Sequence, residues 1–241
     1  MSGLSLGLGV GLTRRGGGGG AAAGIPTIAS SVYWLDATDA STISATSGSV
    51  SEIRDRLGGT TKLVQATGAN QPTTGTATIN GLNAINFSVN DMVLASATNF
   101  MPSADSAFVF TIRTTDGSYV LLSSGYAYLL AYASLSSTSA PYIEAGTPST
   151  FVNGVALTPN TRAALYAQTN DVNVTVVVRG ANVSSWGALR LCDYQEPNSS
   201  VDFTGHLGEF VAMDAPTTTE LNALGEYLAA KWDTAAWTTI T

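Results

Sequence analysis

Acidic side chains are the first place to look for chemistry in this sequence. Hydrolysis of a glycosidic bond needs two carboxyl groups, about 5–5.5 Å apart in retaining enzymes and about 6.5–9.5 Å apart in inverting ones. Two acids separated by one residue on a strand would share a face and meet this need. In the segments with strand-like patterns, the acidic residues instead occur singly; examples are Glu144, Asp171 and Glu209. The spacing therefore predicts no catalytic residue, and a glycoside hydrolase is the least favoured alternative.

A second group of acids could bind a cation. Asp36 and Asp39, together with Asp55, offer the oxygen ligands that calcium takes. Asp36 and Asp39 also close an apolar run and begin a turn, where aspartate side chains accept backbone N–H bonds. We favour the turn interpretation, so no metal site and no cofactor are predicted.

Aromatic side chains offer a third chemistry, the stacking of sugars. In "YAYLLAY" an extended chain would place Tyr126, Tyr128 and Leu130 on one face, with alanine and leucine on the other. Trp186, beside a glycine in "SSWGAL", is a further platform. Tyr126, Tyr128 and Trp186 are thus candidate glycan-binding residues. The alternative is that they pack within the domain, with the tyrosine hydroxyls at its rim, and we favour packing.

Nucleophilic catalysis and zinc binding find little support. The chain has one histidine, His206, and one cysteine, Cys192. His206 lies in strand-like text and no Gly-x-Ser-x-Gly elbow occurs. A His/Cys zinc site needs more ligands of these types than two, and Cys192 is predicted to be a small buried hydrophobe.

The first 24 residues differ from the rest in composition. Five apolar residues alternate with glycine and serine, followed by two arginines and a glycine run; they are Leu4, Leu6, Leu8, Val10 and Leu12. In an extended chain they share one face, which suits addition to the sheet edge or groove of another protein. Residues 1–24 are predicted to be an anchoring arm and Gly-rich linker, and a disordered tail is the alternative.

Charge excludes some partners. Charged residues make up 11% of the 241 residues, and the net charge is −7. An acidic chain is a poor binder of phosphates, so no nucleic-acid partner is expected. No stretch approaches the roughly 20 apolar residues of a membrane span.

The sequence after the N-terminal arm predicts an all-β domain with one helix. Short β-branched and aromatic runs recur every 8–12 residues or so, among them "SAFVFTIRT", "RAALYAQ" and "VNVTVVVR". Asn80-Gly81 and Asn153-Gly154 are of the type that forms tight hairpin turns. Near the C-terminus, leucines at helical spacing follow a Thr217/Glu220 capping box, which predicts a helix over about 218–231.

Two stretches together resemble a known family. "VYWLDATDASTI" near the start and "FTGHLGEFVAMDAPTTTELNALGEYLAAKW" near the end are similar to concanavalin A-like (laminin-G-like) jelly-roll domains, of the kind found in bacteriophage structural proteins. The resemblance covers about residues 32–232. It departs from the family pattern at Ile53, where tryptophan is usual.

The resemblance implies a two-sheet antiparallel jelly-roll sandwich over residues 25–241. This fold hosts many activities, so the fold alone does not indicate a function. The expected function is therefore based on the N-terminal arm together with the resemblance to phage structural proteins. We expect a non-enzymatic virion protein, a head decoration or tail appendage assembled in the bacterial host cytoplasm. Its arm would bind other capsid or tail proteins, and the copies would form a homo-oligomer, a trimer by analogy with phage appendages. A carbohydrate-binding module is the alternative.

Overall fold

The computed structural model describes most of the chain beyond the arm. It describes residues 24–88, 90, 92–95, 101, 103–115, 120–124, 127–131, 137–143, 145–186, 189–192 and 203–241. The predicted anchoring residues Leu4, Leu6, Leu8, Val10 and Leu12, and Tyr126 of the glycan-binding candidates, lie outside these ranges.

The described residues form sixteen strands, two α-helices and a 3₁₀ turn at Gly68–Asn70. The strands are β1 (Ser31–Asp36), β2 (Ile43–Thr46), β3 (Ser49–Arg54), β4 (Lys62–Val64), β5 (Thr73–Ile79), β6 (Leu82–Ser88), β7 (Met92–Ala95), β8 (Ser106–Thr114), β9 (Val120–Ser124), β10 (Ala127–Ala131), β11 (Tyr142–Ile143), β12 (Ser149–Val152), β13 (Val155–Ala156), β14 (Val174–Ala181), β15 (Leu189–Leu191) and β16 (Thr204–Asp214). The helices are α1 (Arg162–Thr169) and α2 (Thr218–Trp232).

All the strand pairs are antiparallel, which confirms the predicted β class. Hydrogen-bonded neighbours follow the order β11-β10-β9-β15-β7-β4-β3-β5-β6-β16-β8-β14-β12-β13, with β1 paired to β16 and β2 to β3. The chain's first described strand therefore lies beside its last. Asp36 of β1 is directly opposite Glu209 of β16, a pairing that becomes important at the functional site.

Both predicted Asn-Gly hairpins are confirmed. Asn80-Gly81 joins β5 to β6, and Asn153-Gly154 joins β12 to β13. The φ angles are +50° and +70° in the first turn and +50° and +81° in the second. Positive φ at both central residues is the requirement that favours Asn-Gly there.

The buried apolar residues form two clusters on opposite faces of the strands. In β1, Tyr33 and Leu35 belong to the larger cluster, whereas Trp34 between them belongs to the second. Leu221 and Leu224 of α2 join that second cluster. The alternating faces of β1 are thus both buried, one against other strands and one beneath the C-terminal helix.

Helix α2 confirms the predicted C-terminal helix and its cap. The Thr217 side chain accepts from the backbone of Glu220, and the Glu220 side chain accepts from the backbone of Thr217. Glu220 Oε1 also accepts from the backbone N–H of Ser30 at 3.0 Å. Burial acts to raise the pKa of Glu220, but the amide hydrogen bonds from Thr217 and Ser30 lower it to about 2.

The cap gives a first testable prediction. Glu220→Gln should lower the free energy of unfolding by about 1 kcal/mol at neutral pH, since a neutral amide accepts these hydrogen bonds more weakly. A lowered folded-state pKa stabilises above the unfolded-state value, near 4.5, and this contribution disappears as pH falls toward about 2. Urea denaturation of the wild type and the variant across that pH range measures this contribution as a difference in the free energy of unfolding. Glu226→Gln, at an exposed position of α2, should change little; an equal loss there would contradict the prediction.

Helix α1 corrects the strand prediction made for "RAALYAQ", and with it the expectation of a single helix. Thr161 caps α1 by accepting from the N–H of Ala164, and Leu165 and Thr169 share its buried side. Alanine, leucine and glutamine are good helix formers, so the cap and local propensity outweigh the resemblance to a short strand.

No helix in the described part of the chain is long and apolar enough to cross a membrane.

Candidate functional site

Four charged side chains from separate parts of the chain meet where α2 covers β1 and β16. They are Asp36 at the end of β1, Arg56 after β3, Glu209 in β16 and Lys231 in the last turn of α2. Asp36 and Glu209 are 1% and 0% exposed. We call these four residues the charged cluster; its two carboxylates and two cations balance in formal charge.

The sheet register brings the two carboxylates together. Directly opposite residues on antiparallel strands have Cβ atoms about 4.5–5.5 Å apart, and like charges there repel. Lys231 offsets this repulsion by standing between them. Its Nζ lies 2.8 Å from each carboxylate oxygen of Asp36 and 2.6 Å from Oε1 of Glu209.

Glu209 is enclosed by aromatic donors. The indole N–H of Trp34 donates to its Oε2 at 2.6 Å, and that of Trp232 donates to its Oε1 at 2.9 Å. The Tyr227 hydroxyl lies 3.4 Å from the same Oε1. Burial, followed by the nearby Asp36 carboxylate, raises the pKa of Glu209 despite the hydrogen bonds from Lys231 and Trp34.

Asp36 has a different environment. Its Oδ2 pairs with Arg56, and its Oδ1 accepts from the backbone N–H and the hydroxyl of Thr38 at 2.9 and 2.7 Å. Burial acts to raise the pKa of Asp36, but the hydrogen bonds from Lys231 and Thr38 outweigh it and lower the pKa. The pKa values of the two facing carboxyl groups are thus displaced in opposite directions, upward for Glu209 and downward for Asp36.

The two cations are held in place by the same geometry. Burial acts to lower the pKa of Lys231, but Glu209 and Asp36 raise it, so the ammonium form is favoured. Arg56 is positioned by the backbone, because its N–H donates to the Trp34 carbonyl at 2.9 Å. Asp55 fixes the same turn by accepting from the N–H groups of Trp34 and Leu57.

The turn interpretation of the early aspartates is confirmed. Asp36 accepts from the N–H of Thr38, and Asp39 accepts from the N–H and hydroxyl of Ser41. In the described ranges no group of three His, Cys, Asp or Glu residues is arranged to hold a metal ion.

The structure places the described glycan-binding candidates in the interior. Tyr128 and Trp186 are 8% and 9% exposed. The Arg162 guanidinium lies over the Tyr128 ring, 5.2 Å from its centroid, and hydrogen-bonds the Tyr128 hydroxyl. Neither ring presents an open face on which a sugar could stack, so glycan binding at these positions stays a prediction without structural support.

The predicted alternation of faces in β10 is wrong at one point. Leu130 has φ of +55°, and both Leu129 and Leu130 are buried in the larger apolar cluster. The turned backbone sends consecutive leucines to the same core instead of opposite faces, so the alternation predicted through Leu130 does not hold.

His206 and Cys192 stand apart from the charged cluster. His206 lies in β16 opposite Asn86 and Arg113. Burial, then the neighbouring Arg113, lowers the pKa of His206, which favours the neutral imidazole. Cys192 is a fully buried thiol in the larger apolar cluster, as its sequence context predicts.

A shallow groove of about 370 Å³ lies beside the end of β1, lined partly by Ala37, Ile43 and Asn83. Asn83 donates to the Ala37 carbonyl at 2.6 Å, which closes one wall. No charged side chain lines the groove. We therefore take the charged cluster, and not the groove, as the centre of polar chemistry in the described part of the chain.

Sequence reasoning considered Asp36 and Glu209 separately, gave no role to Arg56 or Lys231, and missed the cluster. The available signal was Glu209, a lone carboxylate inside the apolar run "LGEFVAM", because a buried charge requires a partner. The two stretches that carry the family resemblance supply Trp34 and Asp36 from one end and Glu209, Lys231 and Trp232 from the other. In the structure these residues contact one another.

Comparison with known proteins adds no family to this description, since no protein-family model matches the chain and no curated protein is significantly similar to it.

Proposed function

We propose that this chain is a non-enzymatic structural protein of a bacteriophage particle, either a head decoration or a tail-associated appendage. Residues 25–241 would form a displayed jelly-roll domain, and residues 1–24 would anchor it to capsid or tail proteins and to sister copies in a homo-oligomer, with a trimer the expected state. The observation that supports the non-enzymatic part of the proposal is the charged cluster, whose ionised groups are paired with one another and hydrogen-bonded by Trp34, Trp232 and Thr38.

A catalytic interpretation of the charged cluster has one argument in its favour. Two carboxyl groups whose pKa values are displaced in opposite directions are typical of acid–base pairs. Both carboxylates are nevertheless buried, and Trp34, Trp232 and Lys231 occupy the space around Glu209. A polysaccharide needs an open groove, and the neighbouring groove is lined without a carboxylate. The geometry supports a structural role.

That structural role fits a displayed domain. The charged cluster ties β1 to β16 and α2, so the first and last described elements are held together. The buried apolar clusters on both faces of β1 support the proposed jelly-roll sandwich, with one layer of strands packed on another and α2 covering the outside. A domain whose first and last described elements are held together in this way is suited to exposure on the surface of a particle.

The anchoring part of the proposal is tested in the full-length chain. Serine at Leu4, Leu6, Leu8, Val10 and Leu12 removes the apolar face while keeping the arm's length. Each buried leucine is worth about 1.5–3 kcal/mol, so this variant should become monomeric and be absent from purified particles. Light scattering gives the molar mass, and the protein content of particles gives incorporation.

A matched control makes the same chemical change on the displayed domain. Leu57 and Val155 are 52% and 56% exposed, and serine at both should leave molar mass and incorporation unchanged. Thermal melting monitored by circular dichroism verifies that each variant is folded. An arm variant that is folded, oligomeric and incorporated like the wild type would refute the anchoring role.

A further inference from the structure

Lys231 and Asp36 are placed as the two reactants of an amide bond. They are 195 residues apart in sequence, yet Lys231 Nζ lies 2.8 Å from both carboxylate oxygens of Asp36. A nitrogen equally close to both oxygens lies on the plane that bisects the carboxyl group, and the carboxyl carbon lies on the same plane. The side chain of Asp36 is 2% exposed and that of Lys231 18%, so bulk water has little access to the pair.

A third group at the same nitrogen could move the protons. Glu209 Oε1 is 2.6 Å from Lys231 Nζ, and Glu209 is fully buried beneath the rings of Trp34 and Trp232. A carboxyl group in such surroundings accepts and releases a proton more easily near neutrality than one in water. The amine, the carboxyl carbon and a proton carrier therefore converge at one point.

We propose that Lys231 and Asp36 are joined by an intramolecular isopeptide bond, formed after folding, with Glu209 transferring the protons. The bond would link β1 covalently to α2 and so fasten the two ends of the domain. This inference does not depend on the phage assignment, because it concerns only groups within the chain.

The reaction balances without any further reactant. One proton of the Lys231 ammonium is relayed by Glu209 to the Asp36 carboxylate, and the neutral amine then attacks the carbon of the neutral carboxyl group to form the C–N bond. A second amine proton passes through Glu209 to the departing Asp36 hydroxyl, which leaves as water. One ammonium and one carboxylate become one amide and one water, and Glu209 returns to its starting state.

The remaining partners of Asp36 have defined parts in this step. Arg56 at Oδ2 is positioned to stabilise the negative charge that develops on that oxygen during attack. Thr38 donates to Oδ1 and fixes the orientation of the carboxyl group. The ion pair is the resting state, and proton transfer to Glu209 must precede attack, so the bond is expected to accumulate slowly in the folded protein.

The test is tryptic mapping of the purified wild-type chain after full denaturation. An amide at Lys231 blocks cleavage there and joins residues 16–54, which contain Asp36, to residues 191–241. The linked pair should weigh one water less than the sum of its two peptides. Recovery of only the separate peptides 16–54, 191–231 and 232–241 would overturn the proposal.

The chain supplies its own control. Lys62 is the other lysine, and its Nζ lies 2.7 Å from Oε2 of Glu52. The Lys62 and Glu52 side chains are 42% and 27% exposed, and Glu52 is the one carboxylate that ion-pairs with Lys62 in the described structure. Trypsin should cut fully after Lys62, with no linked peptide. Linkage at Lys62 as well would point to a non-specific dehydration and overturn the proposal.

Glu209→Gln tests the proton carrier. If the variant is folded by circular dichroism, it should yield free 191–231 and no linked pair, whereas a folded variant that remains linked would overturn the role of Glu209. The wild-type map decides the existence of the bond whether or not this variant folds. Lys231→Arg, which keeps a cation but removes the reactive amine, should show no loss of water.

Discussion

Replacing Lys231 with methionine should destabilise the protein by about 3 kcal/mol at neutral pH. Removing one partner of a buried ion pair costs about 3–5 kcal/mol, since the other charge is left buried. The lower end applies because the Lys231 side chain is 18% exposed and Arg56 still pairs with Asp36. In a chain where Lys231 is amide-linked to Asp36, this figure is a lower bound.

The pH dependence of Lys231→Met separates lost charge pairing from lost packing. Burial and Asp36 raise the pKa of Glu209, and Lys231 is among the groups that lower it, so the variant's Glu209 should have a still higher pKa. A raised folded-state pKa stabilises below the unfolded-state value, near 4.5, and that contribution is lost as pH rises through the folded-state pKa. Relative to wild-type chains whose Lys231 is still a free ammonium, the variant should therefore regain stability as pH falls from 7 to about 5.

Lys62→Met is the control for this experiment. It breaks the more exposed pair with Glu52, and pairs of that kind contribute about 0–1 kcal/mol. Chemical denaturation of the three proteins at several pH values gives the comparison. If Lys231→Met costs no more than Lys62→Met, the charged cluster does not stabilise the fold in the way its geometry indicates.

Local signals in the sequence predicted local structure well. Asn80-Gly81 and Asn153-Gly154 specify hairpins because the requirement for positive φ is met by two adjacent residues. The Thr217/Glu220 box specifies the start of α2 for the same reason, since both halves of the cap lie within one turn. Helix α1 was mistaken for a strand because its apolar residues are too few to establish a period.

The charged cluster needed information that no local stretch contains. Asp36 faces Glu209 only because β1 pairs with β16 in one particular register, and a shift of one residue would turn the carboxylates to opposite faces. Lys231 reaches them only because α2 packs on that face. A search for carboxylates two apart along one strand could not find a pair assembled across two strands.

The other large effect that we expect concerns how the C-terminal segment, residues 233–241 after α2, is held against the domain. The backbone N–H of Thr238 donates to the Asn153 carbonyl at 2.9 Å, so the segment after α2 crosses the β12–β13 turn. A Cβ at Gly154 would lie 1.7 Å from the Thr238 carbonyl oxygen. This approach involves backbone on both sides, and neither side can rotate away as a flexible side chain would.

Gly154→Ala should therefore cost about 3 kcal/mol or more, while Gly81→Ala costs about 1 kcal/mol. Both glycines hold positive φ in Asn-Gly turns, at +81° and +70°, but a Cβ at Gly81 meets nothing within 4 Å. The shared strain of a left-handed residue is about 1–2 kcal/mol, and overpacking adds about 1–3 kcal/mol at Gly154 alone. Urea denaturation gives both values, and faster amide exchange at Thr238 in Gly154→Ala would locate the difference. Equal losses at the two turns would mean that the C-terminal segment yields freely and contributes little to holding the domain closed.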